Sequence, residues 1–110
     1  PEILLLDEPF SALDEVIRAE MQQLVLEVSQ RHQTAVVMIT HDIDEALLLA
    51  DRVILLGGKP GRLLREWHIT QPRPRKQASE HMALLRLEIL QTLQGALAPR
   101  PNMENWMPAI

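Results

Sequence analysis

Cysteine is absent from the 110 residues, so neither disulfides nor thiolate metal sites are available to the chain. Aromatic residues make up only 3% of it, which leaves little material for stacking nucleic-acid bases. No apolar run approaches the roughly 20 residues of a bilayer-spanning helix. Glycine occurs only at Gly57, Gly58, Gly61 and Gly95, and Lys59 is followed by proline rather than by serine or threonine. A glycine-rich loop whose amides and lysine would cradle a triphosphate is therefore missing from these residues. The first residue is Pro1, with no initiator methionine, and the expectation is the C-terminal part of something larger, without a secretory leader.

What is present suits one modest globular domain or less. Apolar residues make up 46%, an ordinary share for a folded protein and too high for a disordered one. The net charge of -4 is unevenly spread: residues 1–58 carry eleven acids against three bases, and residues 59–76 carry six bases against one acid. The basic group of Arg62, Arg65, Arg73, Arg75 and Lys76 is short, broken by prolines and accompanied only by Trp67. It reads as a solvated face or a docking patch for an acidic neighbour, not as a nucleic-acid site.

Residues 2–7 are expected to form a strand, and Pro9 to Asp14 a turn. Leu13, Val16, Ile17, Met21, Leu24 and Val28 recur at helical spacing, with Asp14 as the cap and Arg18, Gln22 and Glu27 on a wet face. Ala35 to Thr40 is a second strand of apolar, β-branched residues. Asp42 and Glu45 have the spacing of a reciprocal capping box over a short helix, and Arg52 to Leu56 supplies a third strand. This strand–helix order predicts an α/β fold with a mainly parallel βαβαβ sheet. Arg62 to Ile69 is predicted to return as a hairpin partner of the third strand. Gln71 to Arg75 is a stiff connector, and Ser79 caps a last helix striped by Met82, Leu85, Ile89 and Leu93 and broadened by Leu84, Leu87 and Leu90.

The chemistry concentrates at two strand ends. Ile3 to Leu6 runs directly into Asp7-Glu8-Pro9, and Met38-Ile39-Thr40 into His41-Asp42. Neighbouring parallel strands would bring Glu8 and His41 out on one side, at the edge where open α/β sheets bind ligands. An aspartate there can hold hydrated Mg²⁺, a glutamate can orient an attacking water, and a histidine can donate to phosphate. Read alone, the acids equally suit a solvated turn, and His41 suits a strand-end histidine bonded to Asp42 or to backbone. His32, His68 and His81 are scattered, with no metal-ligand spacing.

The blocks Ile3 to Asp14 and Met38 to Ala46, in this order and spacing, resemble the nucleotide-binding subunit of ATP-binding-cassette transporters, most of all importers of nitrate, sulfonate and taurine. The resemblance covers about residues 1–95. It implies the C-terminal part of a P-loop nucleoside triphosphatase fold: residues 1–70 as a partial ATPase core, 71–98 as linker and C-terminal helix, and 99–110 as a weakly structured tail. It implies Asp7 as the Walker B aspartate holding Mg²⁺ through water, Glu8 as the catalytic glutamate and His41 as the switch histidine. Ser11 and Asp14 would belong to the D-loop beside the nucleotide.

The phosphate-binding loop, glutamine loop and signature sequence of that family precede the Walker B strand and have no match here. The resemblance thus implies an intact parent that hydrolyses ATP with Mg²⁺, and a chain that by itself is inactive and binds neither tightly. The implied partners are permease subunits and a second nucleotide-binding subunit, at the cytoplasmic face of the inner or plasma membrane. Two alternatives differ in class: a non-catalytic, self-associating piece, and the nucleotide-binding head of a DNA-repair-type ATPase.

Overall fold

The computed structural model describes residues 2–57, 61–75 and 79–97. They form two compact units, Pro1–Ala50 and Asp51–Ile110. The first contains β1 (Ile3–Asp7), α1 (Glu15–His32), β2 (Ala35–Ile39) and α2 (Ile43–Leu49). The second contains β3 (Arg52–Gly57), β4 (Arg62–His68) and α3 (Glu80–Leu97). The predicted last stretch, from Pro99 onward, lies outside the described residues, as does Lys76.

In the first unit β1 and β2 pair in parallel, with Ile3 opposite Ala35 and Asp7 opposite Ile39. Parallel pairing needs a long crossover, and α1 supplies it. Alternation divides the sheet into two faces. Leu6, Val36 and Met38 are half-buried on one, whereas Ile3, Leu5, Val37 and Ile39 are exposed on the other, Leu5 to 73%. The core of this unit is small, with Phe10 and Leu47 its buried apolar residues. The predicted stripe on α1 is only partly covered: Met21 and Val28 are half-buried, while Val16, Ile17 and Leu24 stay exposed.

The expected parallel order does not continue into the third strand. β3 pairs antiparallel with β4, Val53 opposite Trp67 and Leu56 opposite Leu63, with an irregularity between Leu55 and Leu56. This pairing is the hairpin expected from the sequence, whose closure needs little chain entropy, and among the described residues β3 has no parallel neighbour. One face of the hairpin carries Val53, Arg65 and Trp67. On it Arg65 pairs with Glu88 of α3 and lies over the Trp67 ring, 4.8 Å from its centroid, while Trp67 Nε1 donates to Glu88 Oε1 at 3.2 Å.

Helix α3 starts as expected, with Ser79 Oγ accepting from the Met82 amide at 3.3 Å. Met82 and Ile89 are buried, and Leu85, Leu90 and Leu93 half-buried. Leu84 and Leu87 remain exposed, so the stripe is covered on one side only. The basic cluster is largely engaged within its own unit. Besides the Arg65–Glu88 pair, Arg73 Nη2 bonds Asp51 Oδ1 at 2.9 Å, and Arg75 donates to the Gln71 and Ile69 carbonyls. Burial, followed by the neighbouring Arg73 charge, presses the Arg75 pKa below its ordinary value.

On the hairpin's other face Arg52 pairs with Glu66 across the strands. The hydrogen bond from Arg52 draws the Glu66 carboxyl below the usual glutamate range. A depressed carboxyl contributes stability above its unfolded pKa, about 4.3, and loses it as pH falls through the folded value. Arg52→Gln should return the Glu66 titration to the ordinary range in a carbon-detected NMR titration. An unaltered midpoint would mean that the pair is not formed in solution.

Candidate active site

The last residue of β1, Asp7, is followed by a sharp change of direction. The Glu8 amide still donates to the Ile39 carbonyl at 2.8 Å, one step beyond the strand ladder. Glu8 then adopts φ of 48°, a left-handed conformation that a non-glycine residue holds only when its surroundings impose it. Those surroundings are visible. The Ser11 amide and hydroxyl both donate to the Glu8 carbonyl, at 3.4 and 3.2 Å.

The Glu8 carboxylate is fixed from the turn that follows β2. Its Oε1 accepts from the His41 amide at 3.0 Å and lies 2.5 Å from His41 Nδ1. An ionised carboxylate only accepts, so this contact assigns the ring proton to Nδ1 and leaves Nε2 for another partner. The His41 side chain is 86% exposed and that of Glu8 30%, so the pair remains open to an incoming molecule.

Two capped helices frame it. Asp14 Oδ1 accepts from the Ile17 amide at 3.0 Å and caps α1; Asp42 Oδ1 accepts from the Glu45 amide at 3.2 Å and caps α2. The reciprocal half of the predicted capping box does not form. The Asp42 amide turns to Thr40 Oγ1 at 3.0 Å, and the buried Glu45 carboxylate accepts instead from Gln22 Nε2 on α1, also at 3.0 Å. Burying a carboxylate without a partner is costly, which gives Gln22 its place facing the interior.

Glu8, Phe10, Ser11, Arg18, Thr40, His41, Asp42 and Glu45 line an open cavity of about 190 Å³. Of the sequence-predicted site residues, the structure brings Glu8, Ser11 and His41 together there. Asp7 sits exposed at the end of β1 in register with Ile39, and Asp14 is exposed at the cap of α1; neither lines the cavity. Sequence reasoning placed Arg18 and Gln22 on a wet face, and both are half-buried. For Arg18 a signal existed: a cation in the first turn of a helix opposes the helix dipole and asks for a compensating acceptor.

The donor set of the described residues does not make up a nucleotide or metal site. Among the described residues no three histidines or acids converge on one metal position. A single strand-end carboxylate such as Asp7 suits Mg²⁺ that keeps most of its waters. The cavity is smaller than the roughly 300 Å³ at which small-molecule sites begin. It presents three carboxylates, of Glu8, Asp42 and Glu45, against the one guanidinium of Arg18, so among the described residues its lining is acidic rather than suited to a triphosphate.

Comparison with known proteins gives this geometry its setting. The chain is 48% identical over 96 residues to the aliphatic sulfonates import ATP-binding protein SsuB 1 of Pseudomonas aeruginosa, across 87% of the chain and 39% of that protein. It is 54% identical over 90 residues to the SsuB protein of Granulibacter bethesdensis, across 82% of the chain and 37% of that protein. The chain belongs to the ATP-binding-cassette family. No family model matches it. A third relative, SsuB 2 of Burkholderia lata, is 48% identical over 94 residues, across 86% of the chain and 34% of its own length. The chain thus spans well under half the length of these ATP-binding-cassette relatives. Among its described residues no helix is long and apolar enough to cross a membrane.

Proposed function

We propose that the chain carries the water-handling half of the ATP-hydrolysing site of a small-solute importer. The observation that carries this reading is the meeting of Glu8 and His41 at the ends of two parallel strands, 2.5 Å apart. In this reading Glu8 orients the attacking water and accepts its proton as the water's bond to the γ-phosphorus forms and the bond to the bridging oxygen breaks, with ADP leaving. His41 would donate to the γ-phosphate, and Asp7 would hold Mg²⁺ through water. Ser11 and Asp14 belong to the loop beside the nucleotide. Bound Mg²⁺ would supply charge neutralisation on the phosphate oxygens.

The closed pair has a mechanistic consequence. His41 commits its Nδ1 proton to Glu8, so it can serve a phosphate oxygen only after Glu8 releases it or when the ring takes a second proton. Glu8 keeps its other oxygen for a water.

The rest of the site, with the phosphate-cradling loop, would come from the part of the full-length protein that its relatives possess beyond this match. The exposed apolar face of β1 and β2 gives that part a surface to cover. The same reading includes membrane permease subunits and a second ATP-binding subunit as partners, at the cytoplasmic face of the membrane. The names of the relatives favour sulfonates as cargo, with nitrate and taurine as the other candidates. A turnover assay tests the proposal: full-length protein with its permease should hydrolyse Mg-ATP, this chain alone should not, and His41→Ala should slow the former about 10²-fold. Sustained turnover by the chain alone, or an unaffected His41→Ala rate, would overturn it.

A further inference from the structure

Arg18 lies in the first turn of α1, where its backbone amide makes an early helical bond to the Asp14 carbonyl at 2.8 Å. Its side chain runs back over the loop that leads into the helix, the direction helical side chains favour. There Nη2 donates to the Leu13 carbonyl at 2.9 Å and Nε to the Phe10 carbonyl at 3.3 Å. These two carbonyls bracket Ser11 and Ala12. The Phe10 carbonyl also accepts from the Leu13 amide at 3.2 Å, so the loop is closed by its own backbone and clamped by the guanidinium.

We propose that Arg18 is a positioning residue that holds the Phe10–Leu13 loop so that Glu8 keeps its left-handed backbone and presents its carboxylate to water. This rests on the reading of Glu8 as the catalytic carboxylate. Three contacts keep Glu8 in its uncommon conformation: its amide on Ile39, its carboxylate on His41 and its carbonyl under Ser11. Two of these belong to the sheet and to His41. The third depends on the loop, and Arg18 is the side chain that fastens the loop to α1. The planar fork of arginine matches two carbonyls at once, whereas a lysine ammonium is a point donor on a flexible stem. Arg18 also faces the acid-lined cavity, in the company of Glu8, Asp42 and Glu45.

The test uses full-length protein assembled with its permease, in Arg18→Lys, Arg18→Ala, Glu8→Gln and combined forms. Arg18→Ala should lower kcat at least about tenfold with KM for ATP within twofold, because misplacement of a catalytic group affects the chemical step. Arg18→Lys should fall between Arg18→Ala and the unaltered protein. In the Glu8→Gln background Arg18→Ala should cost less than about twofold, since both changes disable one carboxylate. Hydrogen exchange should rise at the Ser11 and Leu13 amides in both Arg18 variants, with thermal unfolding little changed in Arg18→Lys. Unaltered exchange at those amides would overturn the clamp whatever the activity shows. Unaltered kcat in Arg18→Ala, or an undiminished loss in the Glu8→Gln background, would overturn the route through Glu8. Full turnover by Glu8→Gln alone would instead remove the catalytic reading of Glu8, and the exchange result would still decide the clamp.

Discussion

Glu8→Gln in the full-length protein should reduce ATP turnover by about 10²–10⁴-fold, the usual worth of a positioned general base, while ATP binding stays close to normal. The amide nearly preserves the size of the carboxylate, and its oxygen can still accept from the His41 amide, as Glu8 Oε1 does at 3.0 Å. What it loses is the capacity to take a proton from water. Steady-state turnover together with equilibrium nucleotide binding separates the two effects. Lost binding with unchanged turnover per bound nucleotide would move Glu8 from the chemistry to the ligand contacts.

The second large effect concerns stability. Met82 and Ile89, seven residues apart on α3, are buried to 3% and 2% relative exposure. Replacing both by alanine should remove about 2–5 kcal/mol each, against the roughly 5–15 kcal/mol that holds an ordinary domain. Cooperative unfolding of the unit containing β3, β4 and α3 should then be lost or shifted far down in temperature. Leu84→Ala with Leu87→Ala provides the contrast. Both side chains are exposed, so each change should stay within about 0.5 kcal/mol. Thermal denaturation followed by circular dichroism measures both pairs, and equal losses would show that the exposed side of α3 is buried in the working protein.

The reach of the sequence differed from one element to the next for physical reasons. Helix α1 was legible because Asp14 precedes a 3.6-residue apolar period, and the cap forms where that pattern begins. The pairing of β1 with β2 followed from two apolar runs separated by a helix-length segment. The hairpin partner of β3 was legible, because a glycine-rich turn separates two short strand-like runs, and β4 pairs with it as expected. The end of the parallel pairing at β1 and β2 was not, since a short apolar run carries no information about which further strands it joins. The role of Glu45 also escaped, because capping-box spacing is satisfied by Asp42 alone while the glutamate side chain answers to Gln22, 23 residues earlier. Glu8 and His41, just beyond the ends of two strands, could be named as site residues only through the resemblance of their two blocks to a known family, and their direct contact depends on the register that sets Asp7 against Ile39. The left-handed backbone at Glu8 has no sequence signature at all, since glutamate does not advertise a positive φ as glycine would.

The most direct measurement is a crystal structure of full-length Glu8→Gln protein with ATP and Mg²⁺. The expected result has a γ-phosphate oxygen within hydrogen-bond distance of His41, a water between the γ-phosphate and position 8, and Asp7 on the water shell of Mg²⁺. ATP bound with its γ-phosphate away from His41, and no ordered water at position 8, would contradict the assignment of these strand ends to hydrolysis.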